Sequence, residues 1–186
     1  MDAPLDAPKP NFSTVVGTYN GKKLNSPNDF FMAANGDLYF TDPAYGFEKG
    51  FNDPKKELAF QGVYKMDKAG KITVLIDSMQ APNGIGILPD GKTLLVANTQ
   101  GRGRGWYAYD IASNGALENA RVFYNPGSIR EPGGCDGFKI DKKGLSTKTI
   151  NGSLKEISEN SSSTEKGTFY TIKGTLEPSK YLKSRY

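Results

Sequence analysis

The chain has no histidine and a single cysteine, Cys135, in 186 residues. Without histidine, the Ser-His-Asp and Cys-His schemes of nucleophilic catalysis are excluded, so any chemistry must rest on carboxylates, amides, lysine, tyrosine or a metal ion. One cysteine closes no internal disulfide, and Cys135 reads as a small buried residue or a neighbour of a site. No apolar run approaches the roughly 20 residues that span a bilayer. The start, MDAPLDAPKP, has neither the charged beginning nor the apolar stretch of a secretory signal. The expectation is a cytoplasmic protein without a membrane partner. Excess charge is also scarce: the net is +4 and the lysines are scattered, so nucleic acid is not expected as a partner. The tightest basic cluster, GRGRGW at 101–106, reads as a surface loop.

What the chain does have is punctuation and aromatics: 22 Gly, 11 Pro, ten Tyr and ten Phe, the profile of one domain built from short strands and turns. Three segments share one grammar. SPNDFFMAANGDLYFTD (26–42), APNGIGILPDGKTLLVAN (81–98) and GCDGFKIDKKG (134–144) each open on a bend with Asn or Asp, run into a short apolar stretch and reach a glycine turn. Asn28, Asn83 and Asp136 each precede that glycine (Gly36, Gly91, Gly144) by eight positions, and they follow one another at intervals of 55 and 53 residues. Between the anchors lie alternating stretches that read as hairpins: GVYKMD with KITVLID, then GWYAYDI with ALENARVFY.

Each period therefore holds four antiparallel strands, the signature of a β-propeller blade. In a blade the first strand lies innermost, beside the central channel. Residues at matched positions at its start should then converge, which nominates Asn28, Asn83 and Asp136 as a channel set. Singly, each is equally a turn residue, since Asn and Asp bond nearby backbone; the matched offsets argue for the set. Asp29 reads as a partner behind Asn28, or as a cap of the turn. Asp42 and Asn98 read as turn residues ending second strands, and Tyr45 and Trp106 as blade packing rather than pocket rim.

Amide oxygens with a carboxylate, and no sulfur or imidazole, form a hard donor set suited to calcium, magnesium or manganese. A cation so held could polarise an ester or lactone carbonyl, with Asp136 as ligand and proton acceptor.

The quoted motifs, LNSPND…GDLYFTDPAYG, APNGIGILPDGKTLLVANT and EPGGCDGFKIDKKG, resemble the gluconolactonase family, related to senescence marker protein (regucalcin) and to bacterial drug-responsive lactonases. The resemblance runs over about residues 14–144. It implies an all-β, six-bladed propeller, here incomplete with about three to four blades, and hydrolysis of sugar lactones or related esters. It also implies one divalent cation, calcium first, with magnesium, manganese or zinc as alternatives. By resemblance Asn83 and Asp136 are metal positions, Asp136 is also the catalytic base, and Asn28 contacts substrate or a metal-bound water; Asp29, beside Asn28, is grouped with it as a substrate-binding candidate. The family's glutamate ligand near Glu-Gly-Pro has no counterpart upstream of Asn28. The expected organisation is a tail at 1–13, blades at 14–144, a low-complexity linker or disordered stretch at 145–167, and a terminal strand or hairpin with a tail at 168–186. The outer strand of a preceding blade is expected in STVVGTY. An incomplete ring leaves self-association open. The competing readings are a non-catalytic or calcium-binding propeller module and an inactive fragment.

Overall fold

The structure is a computed structural model that describes residues 13–101, 103–125 and 135–140, and the strands 146–150 and 153–157 by their backbone. The terminal strand or hairpin expected at 168–186 lies outside the described residues, as do most of the tail at 1–13 and Gly144.

Two complete four-stranded meanders form as expected. The first blade is β3 (Phe30–Met32), β4 (Leu38–Asp42), β5 (Gly62–Met66) and β6 (Ile72–Ile76), paired in that order and antiparallel throughout. The second is β7 (Pro82–Ile87), β8 (Thr93–Asn98), β9 (Gly105–Ile111) and β10 (Leu117–Tyr124), paired likewise. The turns between first and second strands depend on glycines at positive φ, 86° at Gly36 and 68° at Gly91. A side chain would strain the backbone there, which explains the glycine at each turn.

Before these blades, β1 (Thr18–Tyr19) and β2 (Lys22–Lys23) form a small hairpin. The strand expected across STVVGTY is thus confined to its last two residues. Val16, Tyr19 and Leu24 pack on the free face of the first blade, with Phe40 and Tyr64.

A third sheet follows, β11 (Phe138–Ile140), β12 (Ser146–Ile150) and β13 (Ser153–Ile157), all antiparallel. The stretch at 145–167 read as linker or disorder therefore contains two strands. Its Ser, Thr and Lys content hid a short alternation, and β-branched Thr and Ile suit an extended backbone. Ile150 pairs with Ser153 across Asn151-Gly152, a dipeptide that favours two-residue hairpin loops.

The sheets pack face to face, and strand alternation decides which residues meet. Tyr39, Val63, Ile76 and Met79 of the first blade bury against Ile85, Leu94 and Val96 of the second. Leu95, Ala97, Trp106, Ala108, Phe123 and Tyr124 bury against Cys135 and Phe138 at the third sheet. On β3, Phe31 packs toward the second blade, whereas Phe30 and Met32 are 64 % and 56 % exposed. This arrangement is an incomplete propeller, its inner strands β3, β7 and β11 side by side.

Candidate functional site

The three anchors occupy the starts of the inner strands, and backbone contacts tie those starts together. The N–H of Asn28 donates to Thr41 O (2.9 Å), and the N–H of Asp29 donates to Thr41 Oγ1 (3.2 Å). The same Thr41 hydroxyl donates across the blade boundary to Asn83 O (2.8 Å). A Cβ on Gly84 would stand 2.9 Å from Asp136 O and 3.1 Å from Gly137 Cα, so β11 closes on β7 where a side chain is missing. Thr99 Oγ1 donates to Cys135 O at 3.0 Å, a second bond of this kind between blades.

The side chains differ in setting. Asn28 and Asp136 are exposed at the strand mouths, while Asp29 is half-buried. Burial pushes the Asp29 carboxyl above the usual carboxylate range; backbone hydrogen bonds from Phe30 and Ile85 and the nearby Lys139 pull it down, and Asp136 pushes it up. Asp29 and Asp136 are therefore electrostatic neighbours although they belong to the first and third sheets. Asn83 is 6 % exposed, and its side-chain amide makes no hydrogen bond among the described residues; its polar atoms are not sealed from solvent, so the amide is free to meet water or a ligand.

Among the described residues, no three His, Cys, Asp or Glu side chains form a group able to hold a metal. A cation here would need amide oxygens, and the two expected metal positions, the Asn83 amide and the Asp136 carboxylate, offer oxygen donors of the type hard divalent ions take.

Two residues read as turn formers prove to be structural clamps. Asp42 is fully buried, and its carboxylate accepts the N–H groups of Asn25 (2.8 Å) and Ser26 (2.8 Å) and the Asn25 side-chain amide (3.1 Å). Burial pushes its pKa up to about 6 against those donors. Asn98, 5 % exposed, accepts the Ala81 N–H (2.9 Å) and donates to Gln100 O (3.1 Å) and Gly103 O (2.8 Å). Their one visible signal was the shared place at the ends of FTD and VAN, after the apolar run. Trp106 is wholly buried packing, as read. Tyr45, half-buried, donates to Ala81 O (3.3 Å) beside the entry to β7. Cys135 is buried, 1 % exposed, as the first half of its expectation had it.

Among the described residues, no helix is long and apolar enough to cross a membrane.

The chain is 34 % identical to the gluconolactonase of Zymomonas mobilis over 139 residues, covering 71 % of this chain and 38 % of that protein. Its fold matches a gluconolactonase from Xanthomonas campestris with a TM-score of 0.66 at 32 % identity, covering 77 % of this chain and 47 % of the other. It also matches a calcium-binding protein, regucalcin, from Agrobacterium tumefaciens, with a TM-score of 0.53 at 25 % identity, over 70 % of this chain and 41 % of that one. The chain thus spans half or less of the length of these relatives. Residues 5–165 match the family model described as SMP-30/Gluconolactonase/LRE-like region, and with the propeller sheets and their joined inner strands this establishes that the chain belongs to that family.

Proposed function

We propose that this chain forms part of a hydrolase of sugar lactones or related esters, with Asp136 as its general base. The observation that carries the reading is the joining of the three inner-strand starts, Thr41 to Asn83 O and Gly84 against Asp136 O, which brings the uncommitted Asn83 amide beside Asp29 and Asp136. The gluconolactonase names of the relatives in Zymomonas mobilis and Xanthomonas campestris supply the substrate class.

Asn83 and Asp136 would hold a divalent cation, calcium first in view of the regucalcin relative, with magnesium, manganese or zinc as alternatives. When bound, such an ion supplies Lewis-acid polarisation of the lactone carbonyl. The chain's own groups do the rest. Asp136 accepts a proton from the water whose oxygen adds to the carbonyl carbon, and the ring C–O bond then breaks as that proton passes to the departing oxygen, leaving a hydroxy acid. Asn28 offers an amide at the exposed mouth for substrate hydroxyls, and Asp29 an acceptor next to it.

The test is turnover of glucono-1,5-lactone by the chain and by Asp136→Asn. The variant should lose about 10²- to 10⁴-fold in kcat while unfolding at the wild-type temperature. Full turnover in the variant would refute Asp136 as base. The regucalcin relative also favours a second reading, a calcium-binding module without turnover. Calcium binding by calorimetry, with no lactone hydrolysis by the wild-type chain, selects that reading instead.

A further inference from the structure

The two complete blades repeat one polar device that the proposed chemistry does not use. Asp42 and Asn98 are each the last residue of the second strand of their blade. Each is almost wholly sealed from water, at 0 % and 5 % exposure, where an uncompensated polar group is costly. Each spends its side-chain oxygens on main-chain N–H groups just ahead of the inner strand. Asp42 takes those of Asn25 and Ser26, three and two residues before Asn28. Asn98 takes that of Ala81, two residues before Asn83. Further bonds brace the same points: Ser26 Oγ donates to Pro43 O (2.6 Å), and the Thr99 N–H donates to Ala81 O (2.9 Å).

The entry to an inner strand is a bend, and a bend's direction is set by where its backbone groups are tied. Two ties at Asn25–Ser26 and two at Ala81 leave little freedom to the residues that follow. Neither Asp42 nor Asn98 is an anchor, and both act through the chain they hold.

We propose that Asp42 and Asn98 are paired positioning residues, each fixing the bend that enters its blade's inner strand and so the direction in which Asn28 or Asn83 presents its amide. The assignment of distinct consequences rests on the reading above, in which Asn83 faces a cation and Asn28 a substrate. Asn98 then governs cation affinity and Asp42 governs lactone binding.

The experiment uses the full chain as wild type, Asn98→Ala, Asn98→Asp, Asp42→Ala, Asp42→Asn and Asn83→Ala. Amide hydrogen exchange is the first readout. Asn98→Ala should speed exchange about tenfold across 81–87 and leave 28–32 at wild-type rates, and the Asp42 variants should do the reverse. Asn98→Asp, which keeps the acceptor for the Ala81 N–H but gives up both donors, should fall between wild type and Asn98→Ala. A uniform rise across the molecule in every variant would overturn the proposal, because a purely structural role loosens everything together.

Calcium calorimetry is the second readout. Asn98→Ala should weaken calcium about tenfold and Asp42→Asn less than twofold, while the Michaelis constant for glucono-1,5-lactone rises in Asp42→Asn. Equal weakening of calcium by both would overturn the division of labour. Asn83→Ala separates the two layers: if it leaves calcium binding as in the wild type, the cation reading fails, and the exchange pattern still decides whether Asp42 and Asn98 position their strands.

Discussion

The first and second blades have the same strand order, the same glycine turn and the same clamp, yet their inner strands are built oppositely. Counted from the anchor, the entry to β3 carries Asp29 and β3 itself Phe31, where β7 carries Gly84 and Gly86. The first blade meets its neighbour through side chains and the Thr41 hydroxyl, which reaches Asn83 O. The second meets β11 through absent side chains: Cβ atoms on Gly84 and Gly86 would stand 2.7 Å from the Phe138 ring and 2.8 Å from the Ile140 terminal methyl. The clamps differ as well, a carboxylate in the first blade and a neutral amide in the second. One scaffold thus tolerates two interface solutions, provided that the inner-strand entrances are held.

The largest expected effect comes from the second boundary. Trp106 is fully buried, with its ring centroid 4.5 Å from that of Phe138 and 6.0 Å from that of Tyr124. Trp106→Ala should cost about 3–5 kcal/mol in urea unfolding, since it empties the main filler between the second and third sheets. If this boundary were loosely packed, the loss would stay below about 1 kcal/mol, and the contrast between the blades would vanish.

Next is the glycine pair itself. Gly84→Ala pushes a methyl against the Asp136 carbonyl, main chain that cannot swing aside, and should cost up to about 3 kcal/mol. Gly86→Ala should cost less, because the Ile140 terminal methyl can rotate away. Equal losses in thermal unfolding would show that β11 shifts as a unit rather than locally.

These contrasts mark what the sequence could and could not reveal. Hairpins were legible wherever one face is buried: GWYAYDI alternates, and β9 occupies those seven residues. The segment after Gly144 was illegible because its strands are polar, and composition was read in place of alternation. The places of Asn28, Asn83 and Asp136 at the starts of successive inner strands were legible through matched offsets, since a repeated fold enforces a repeated spacing. The burial of Asn83, at 6 % exposure, was not, because burial there depends on the neighbouring blade. The clamping role of Asp42 and Asn98, read as turn residues, escaped notice for a related reason. A buried bond to main chain 17 residues earlier leaves no periodic trace, and an Asp before Pro reads as an ordinary turn former.

The clamps also predict a difference in pH response. Folded, Asp42 holds its proton up to about pH 6, whereas in the unfolded chain it releases it near 3.8. The stability linked to that proton is fully present below 3.8 and is lost as the pH rises through 6. Wild type should therefore lose about 2 kcal/mol relative to Asp42→Asn between pH 4.5 and 7.5, measured by urea unfolding. Asn98 does not titrate, so the gap between wild type and Asn98→Ala should stay constant over the same range. A flat Asp42 difference would mean that its three donors offset its burial.

The smallest effect concerns a polar atom in the core, for each blade buries one without a partner among the described residues, the Tyr64 hydroxyl in the first and Trp106 Nε1 in the second. Tyr64 is the first blade's counterpart to Trp106, fully buried, stacked on Phe40 at 5.1 Å and edge-on to Tyr19 at 5.2 Å. Its hydroxyl is buried without a hydrogen-bond partner, and burial raises its pKa well above the ordinary tyrosine value. A hydroxyl that gave up water and gained no bond opposes folding, so Tyr64→Phe should stabilise the chain by up to about 1 kcal/mol while the ring contacts persist. A thermal midpoint raised by a few degrees meets that expectation. A drop would show that the hydroxyl is satisfied in solution by ordered water.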